Sequence, residues 1–436
     1  MNKVTKNASW IIACRLAQSV LALIINMLTA RFLGPSNFGL ITYAASLAAF
    51  VAPIMNLGLN NILVQEIVHH PEREGQAMGT SMLLSLVSAV GCIVGVTGFA
   101  MLANHGEKVT ILVCLLYSLS LLCQAPELMK YWYQAKLLSK YTSIVSLCAY
   151  LVISGYKIYL LATQKSVYWF AISNAFDAFL IAVGIIFIYF RLGGQRLRFS
   201  PALGKELFSR SKYYIVSGLM VTIFAQTDKI MIKLMIDETA TGYYGAAVAC
   251  ATMTNFFFTA IIDSFRPSIY DGQKQSEAVF EHRLTLLYTA VIYLALGQSA
   301  VMAGFAPWII RLLYGAKYMP ATNSLRIIVW YTTFSYLGAV RNIWILAKDK
   351  QQLLWKINLT GALVNVALNA VLIPFWGING AAVASLITQI FTNVITGYII
   401  RSIRPNNTIM VQGLHPKYIR ELIHRLLPHR GGKGLT

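Results

Sequence analysis

Once the loop residues are set aside, ten charged residues remain inside long apolar stretches of this chain. Seven are basic (Arg15, Lys157, Lys229, Lys233, Arg326, Arg341 and Lys356), and three are acidic (Asp177, Asp228 and Asp263). A charge near the centre of a bilayer costs at least ~2.5–3.5 kcal/mol on insertion scales, so each must face protein, water or another charge. Ammonium and guanidinium groups that line one enclosed space attract an anion. The guanidinium fork also matches the oxygens of a phosphate. The acids offer ion-pair partners or a site for a coupled proton.

Helix phase groups these residues. At about 100° per residue, Thr222, Gln226, Lys229 and Lys233 share an arc of ~60°, and Arg326, Thr333 and Arg341 share ~80°. Thr252, Asn255, Thr259, Asp263 and Arg266 also share ~80°, and Asn358, Asn365 and Asn369 share ~40°. Arg15, Gln18 and Asn26 form a similar stripe. Five phased polar stripes predict a cavity through the depth of the membrane. Arg15, Arg266 and Arg341 fall toward one side, and Lys229, Lys233 and Arg326 toward the other. Simpler accounts stay open for several members. Lys157 and Lys356 are placed to snorkel. Arg266 is an edge anchor that Asp263, three residues before it, neutralises. Asp228 sits ~100° off the lysine stripe and suits a tether between helices. Asn174 and Asp177, three residues apart, suit either role.

The elements that position these residues follow from composition. The 436 residues are 57% hydrophobic and 12% charged, against about 25% charged in a soluble domain. That excludes a soluble enzyme, a disordered chain and a disulfide scaffold. Twelve apolar stretches reach the ~20 residues a spanning helix needs: 8–32, 38–65, 77–103, 108–126, 141–162, 167–190, 211–236, 241–265, 284–306, 322–346, 352–374 and 378–400. The first is too long for a signal-peptide core and lacks a small-x-small cleavage site, so it reads as a retained span. The net charge of +20 would suggest nucleic acid in a soluble protein. Here the basic residues gather in alternate loops. Twenty-four of 36 fall on the side of the N-terminus and five (Arg31, Lys108, Lys165, Arg311 and Lys317) on the other, which predicts cytoplasmic termini. All six cysteines lie in apolar stretches, and no disulfide framework is expected.

The expected fold class is therefore an all-α polytopic membrane protein, with twelve transmembrane helices in two six-helix bundles around a central polar cavity. The longest interior connection, near 191–210, divides it into bundles of 1–200 and 201–404, followed by a basic amphipathic cytoplasmic tail of 405–436. A faint repeat supports the halves. Gly39-Leu40-Ile41-Thr42-Tyr43-Ala44-Ala45 opens span 2, and Gly242-Tyr243-Tyr244-Gly245-Ala246-Ala247-Val248 opens span 8. Residues 416–427 alternate apolar and basic faces and suit the inner leaflet. No phosphate-binding loop, metal-ligand cluster or nucleophile elbow appears, so catalysis, cofactors and metals are not expected.

Several strings resemble a known family. Ala30-Arg31-Phe32-Leu33-Gly34-Pro35-Ser36-Asn37-Phe38-Gly39, then Tyr43-Ala44, resembles the first loop of bacterial polysaccharide export proteins, as does Asn56-Leu57-Gly58-Leu59. Thr227-Asp228-Lys229-Ile230-Met231-Ile232 resembles their span 7 segment. Asn365 to Asn369, with Leu372-Ile373-Pro374 and Gly377-Ile378-Asn379-Gly380-Ala381-Ala382, resembles their span 11–12 hairpin. The resemblance covers essentially the whole chain and points to Wzx-type flippases of the MOP exporter superfamily. It implies a protein of the bacterial inner membrane that moves an undecaprenyl-pyrophosphate-linked oligosaccharide, such as an O-antigen unit, from the inner to the outer leaflet. Alternating access, with ion coupling in some members, is implied too. Membrane lipids are then partners, a polysaccharide polymerase and chain-length proteins are candidate partners, and nucleic acid is not one. The rivals are a drug or small-molecule antiporter of the same superfamily, a membrane glycosyltransferase or O-antigen polymerase, and a non-transporting scaffold. The basic excess argues against the first, short outward loops against the second, and the polar stripes against the third.

Overall fold

The structure, a computed structural model, describes the backbone of residues 3–426 and the side chains of residue 14 and residues 17–424. Among the described residues the chain is helical and without strands. This follows from the solvent: a backbone in hydrocarbon must satisfy its own N–H and C=O groups. The chain runs α1 (Lys3–Met55), α2 (Leu63–His69), α3 (Glu74–Ala103), α4 (Lys108–Ser118), α5 (Ser120–Gln124), α6 (Lys130–Ala135), α7 (Ser139–Ala162), α8 (Val167–Arg191) and α9 (Pro201–Met235). It continues with α10 (Glu238–Thr252), α11 (Asn255–Gln275), α12 (Glu277–Gly304), α13 (Ala306–Leu313), α14 (Thr322–Ala347), α15 (Gln352–Ile390), α16 (Thr396–Ile399), α17 (Arg404–Gln412) and α18 (Pro416–Leu426).

Among the described residues nine helices are long and apolar enough to cross a membrane. Two of them, Ala17–Met55 and Gln352–Ile399, have length for two crossings each. Each contains one non-helical residue, Gly34 (φ 73°, ψ 172°) and Gly377 (φ 55°, ψ −135°). Only glycine adopts such angles at no steric cost. Pro35 follows the first break, where its fixed φ suits a helix start. Together with α14, which carries Arg326 and Arg341, the arrangement is consistent with twelve crossings.

Two boundaries differ from the sequence reading. Span 2, drawn to residue 65, ends at Met55. Leu57 (φ 50°) and Gly58 (φ 65°) turn the chain there, inside a run that composition alone reads as continuous. Span 8, drawn over 241–265, is broken between Thr252 and Asn255. Its polar arc therefore holds only from Asn255 onward. No Gly or Pro marks that break; the Tyr336 hydroxyl meets the side chains of Thr254 (3.4 Å) and Asn255 (2.7 Å) there.

The chain divides into two compact units, Met1–Ala246 with Leu313–Tyr318, and Ala247–Leu312 with Met319–Thr436. α9, expected from the sequence to open the second bundle, packs into the first unit. Charge pairs at both its ends explain this. At its start Arg210 lies 2.7 Å from Glu66 on α2, a carboxylate 1% exposed that also holds Arg73 at 2.7 Å. At its end Lys233 meets Glu107 and Glu238. The segment before α9 is strapped to α3: Arg198 N donates to Gly75 O (3.2 Å), Gly75 N to Gln195 Oε1 (3.1 Å) and Ser200 N to Thr80 Oγ1 (3.0 Å). Ser200 then caps α9.

The second unit is built around Phe258, Tyr288, Val291, Tyr336, Val340, Trp344 and Ile403, drawn from α11, α12, α14 and the segment before α17. The tail helices fold back on α12. Tyr288 OH donates to Asn406 Oδ1 (3.0 Å), Thr289 Oγ1 to Gly413 O (3.0 Å), and His282 Nε2 lies 2.9 Å from Glu421 Oε1.

Candidate functional site

In the first unit the polar groups follow the stripe of α9. Thr222 Oγ1 reaches Phe50 O of α1 at 3.5 Å, so the stripe faces the second half of α1. One turn on, Lys229 Nζ donates to Gln226 Oε1 (3.0 Å), a neutral partner that leaves the positive charge uncompensated by that bond. Asp228 is buried and accepts from Tyr244 OH of α10 (2.7 Å). This matches its position off the lysine stripe: it ties α9 to α10.

Lys233 lies at the end of the stripe with a side chain only 4% exposed. Its Nζ lies 2.9 Å from Glu107 Oε2 and 3.1 Å from Glu238 Oε2. Ser36, two residues past the Gly34 break, donates to Glu238 Oε1 (3.2 Å), and Thr110 donates to Glu107 Oε2 (2.8 Å). The cluster thus joins α1, the α3–α4 loop, α4, α9 and α10. Glu107 lies outside the spans. The Lys233 ammonium, and after it the Thr110 hydroxyl, hold its carboxyl below the ordinary carboxylate range. Beside this cluster α1 and α10 cross backbone to backbone. A Cβ on Gly39 would strike the carbonyl of Glu238, and one on Gly242 the carbonyl of Pro35. Tyr318 OH closes the same end by donating to Ala30 O (2.8 Å). On α8, Asp177 has Oδ1 buried without a hydrogen-bond partner, and Lys157 of α7 is the cation that acts on it.

In the second unit the predicted residues divide by exposure. Asp263 and Arg266 pair at 3.0 Å on the surface of α11, both about half exposed. Arg326 is exposed and donates to Asn323 Oδ1 (3.3 Å). Asn255 is exposed and held by Tyr336. Asn365 and Asn369 are fully buried, with Asn369 Nδ2 donating to Asn365 Oδ1 (3.1 Å). Thr333 is buried against Ser299 of α12 (2.8 Å). Arg341 is 5% exposed and donates through Nη1 to the carbonyl of Thr392, in the π-helical turn Phe391–Ile395.

Gln226, Asp228, Lys229 and Lys233 therefore share one unit, and Asn255, Asp263, Arg266, Arg326, Arg341, Asn365 and Asn369 the other. Asn26 is exposed on α1. The side chain of Arg15 lies outside the described residues. Sequence reasoning missed Glu107, Glu238, Ser36 and Tyr244. Glu238 was within reach, five residues after Lys233 at the same end of a span. Glu107 was not, being 126 residues away.

Comparison with known proteins places this architecture. The model of the family described as "Polysaccharide biosynthesis protein" matches residues 4–273. The probable low-salt glycan biosynthesis flippase Agl15 of Haloferax volcanii is 23% identical over 45% of this chain and 42% of its own length. The uncharacterized membrane protein MJ1068 of Methanocaldococcus jannaschii is 23% identical over 50% of this chain and 46% of its own. The chain thus spans less than half the length of these curated relatives. Among solved structures, the lipid II flippase MurJ in an inward closed conformation superposes with a TM-score of 0.70 at 12% identity, over 95% of this chain and 91% of that one. An inward-facing multidrug resistance MATE family transporter of the MOP superfamily gives 0.64 at 11% identity, over 90% and 99%. These likenesses establish the fold. With a helical architecture among the described residues, charges inside its apolar helices and a family match over residues 4–273, this multi-pass membrane protein belongs to the polysaccharide biosynthesis protein family.

Proposed function

We propose that the protein is a flippase that carries an undecaprenyl-pyrophosphate-linked oligosaccharide from the cytoplasmic to the outer leaflet of a bacterial inner membrane, with both termini cytoplasmic. The observation that carries this reading is Lys229, a cation inside a span whose hydrogen bond goes to the neutral Gln226 and not to a carboxylate. A diphosphate supplies the missing negative charge. The glycan flippase and lipid II flippase among the similar proteins agree with a lipid-linked sugar as cargo. Transport proceeds by alternating access, and the prenyl chain stays in lipid while the sugar crosses in the polar interior.

In this reading Arg266 and Arg15 meet the diphosphate on the cytoplasmic side, Arg15 on its sequence position alone. Lys229, Lys233 and Arg326 receive it toward the outside. Lys233 is held by Glu107 and Glu238, so a diphosphate competes with two carboxylates for one ammonium. Loss of those bonds frees the ends of α9 and α10 from α1 and opens the exit. Gln226, Asn26 and Asn255 offer neutral hydrogen bonds to sugar hydroxyls. Asp177, with a buried oxygen and Lys157 nearby, is the strongest candidate for a coupled proton. Arg341 and the pair Asn365 and Asn369 are buried within the second unit and enter only in a changed conformation.

Complementation of a flippase-null strain tests the reading. Lys229→Gln and Arg326→Gln should each abolish surface glycan at normal protein levels. Full activity in both variants would reject a cationic path. A drug antiporter of the same fold would instead confer resistance independent of glycan genes.

A further inference from the structure

A crevice of about 540 Å³ opens in the second unit where the apolar helix Gln352–Ile399 ends and the tail begins. Tyr398 of α16 and Val411 of α17 form its apolar wall. Gln412 ends α17, His415 lies at the corner, and Lys417 and Tyr418 open α18. No acidic side chain lines it. Hydrogen bonds fix its frame. Thr289 Oγ1 of α12 donates to Gly413 O (3.0 Å) and Tyr293 OH to Leu414 O (2.7 Å), which sets the corner between α17 and α18. Arg404 Nε donates to Tyr398 O (2.8 Å) and holds the turn into α17.

The crevice offers donors at one end. Lys417 Nζ lies 5.9 Å from the centre of the Tyr418 ring, so cation and ring share one wall. Lys417 N donates to His415 Nδ1 (3.3 Å), which leaves the ring proton on Nε2 as a donor. Gln412 adds an amide. Phosphate oxygens accept from such a set, most strongly from the ammonium. The surrounding charge has the same sign: residues 401–436 hold seven Lys and Arg and one acid, Glu421, which faces His282 at 2.9 Å. At the other end the crevice meets bare hydrocarbon-facing surface. Ile387, Ile395 and Tyr398 of the same apolar helix are each roughly half exposed. Donors at a helix end, continuous with exposed apolar side chains, match a lipid at the membrane interface.

We propose that this crevice binds one anionic phospholipid of the phosphatidylglycerol class. Lys417 pairs with the phosphate, and His415 Nε2 and the Gln412 amide donate to its oxygens. Tyr398 and Val411 lie against the glycerol backbone and the start of the acyl chains, which follow Ile395 and Ile387. Affinity at an interface comes from buried apolar area together with attraction to anionic headgroups. Lys417 supplies the second and Tyr398 and Val411 the first. The site uses none of the cations assigned to the cargo, so it stands or falls separately from the transport reading.

Native mass spectrometry of the purified full chain in detergent tests this. Wild type should take up phosphatidylglycerol more tightly than phosphatidylcholine. Lys417→Gln should weaken the phosphatidylglycerol complex about fivefold, the worth of one cation at an anionic surface. Val411→Asp, which sets a carboxylate beside the phosphate, should weaken it at least as much, and Lys417→Arg should bind as wild type does. Arg420→Gln removes an exposed cation of α18 that does not line the crevice and should change little. Equal binding of the two lipids overturns the proposal. Equal losses in Arg420→Gln and Lys417→Gln also overturn it, because they mark a diffuse basic surface. Displacement of phosphatidylglycerol by inorganic phosphate alone would make this a free-anion site, and tighter binding of undecaprenyl phosphate would make it part of the cargo's route; either result overturns the proposal.

Discussion

Lys233 gives the sharpest test of how the first unit is held. Its ammonium is 4% exposed, whereas its partners Glu107 and Glu238 are 53% and 31% exposed. That asymmetry decides the energetics. Glu107→Ala removes a well-solvated carboxylate and leaves Lys233 paired, so the loss is that of an exposed ion pair, about 0.2–1 kcal/mol. Glu238→Ala removes a charge-assisted bond at a half-buried site, about 1.5 kcal/mol. The double variant strands a buried ammonium with no counter-ion, which costs about 3–5 kcal/mol. The double loss should exceed the sum of the single losses by about 1–2 kcal/mol, the size of coupling seen for residues in one network. Unfolding of purified protein in mixed micelles, followed by tryptophan fluorescence, reads this cycle. A double variant that loses no more than the sum would mean that Lys233 finds another partner or leaves its pocket, and the proposed exit latch would fail with it.

Acid should weaken the same cluster. The folded-state pKa of Glu107 is lowered by Lys233, so its contribution is fully present above the unfolded value of about 4.3 and is lost as pH falls below that. An acid titration of unfolding should be flatter there in Glu107→Gln than in wild type. Tyr244→Phe leaves the buried Asp228 without its 2.7 Å donor and should cost about 1–3 kcal/mol; Tyr244→Leu should cost no less, and a silent Phe variant contradicts the tether. Gly242→Val must push α1 and α10 apart at the Pro35 carbonyl and should destabilise by at least about 1–3 kcal/mol, where Gly297→Ala, with open space around it, should be near neutral.

Much of this architecture was legible in the sequence, because lipid imposes simple demands. Continuous apolar runs gave the helices, and Gly34-Pro35 and Pro374 with Gly377 marked the two breaks within long helices. The echo between Gly39 and Gly242 was visible as a repeat at matching points of the two halves. Its physical meaning was not: the two glycines meet each other, and each half supplies one side of a close backbone crossing. Helix phase placed Lys229 and Lys233 on one face with Gln226 and set Asp228 aside; Lys229 donates to Gln226, and Asp228 accepts from Tyr244 of α10. Phase says nothing of depth or cover, so it grouped Arg326, Thr333 and Arg341, of which one is exposed and two are buried. It also ran across Thr252–Asn255, where hydrogen bonds from Tyr336, 81 residues away, hold a break that no local residue announces. The partners of Lys233 and Glu66 come from distant loops, and tertiary packing alone brings them together.

The most direct test of the account is where the lipid-linked oligosaccharide ends up. In spheroplasts of a flippase-null strain supplied with this protein, a lectin added outside should label undecaprenyl-pyrophosphate-linked oligosaccharide, and Lys229→Gln should leave that lipid inside at equal protein levels. Cargo that stays on the inner leaflet with the wild-type protein, or labelling that Lys229→Gln and Arg326→Gln leave unchanged, would contradict the cationic route for a diphosphate.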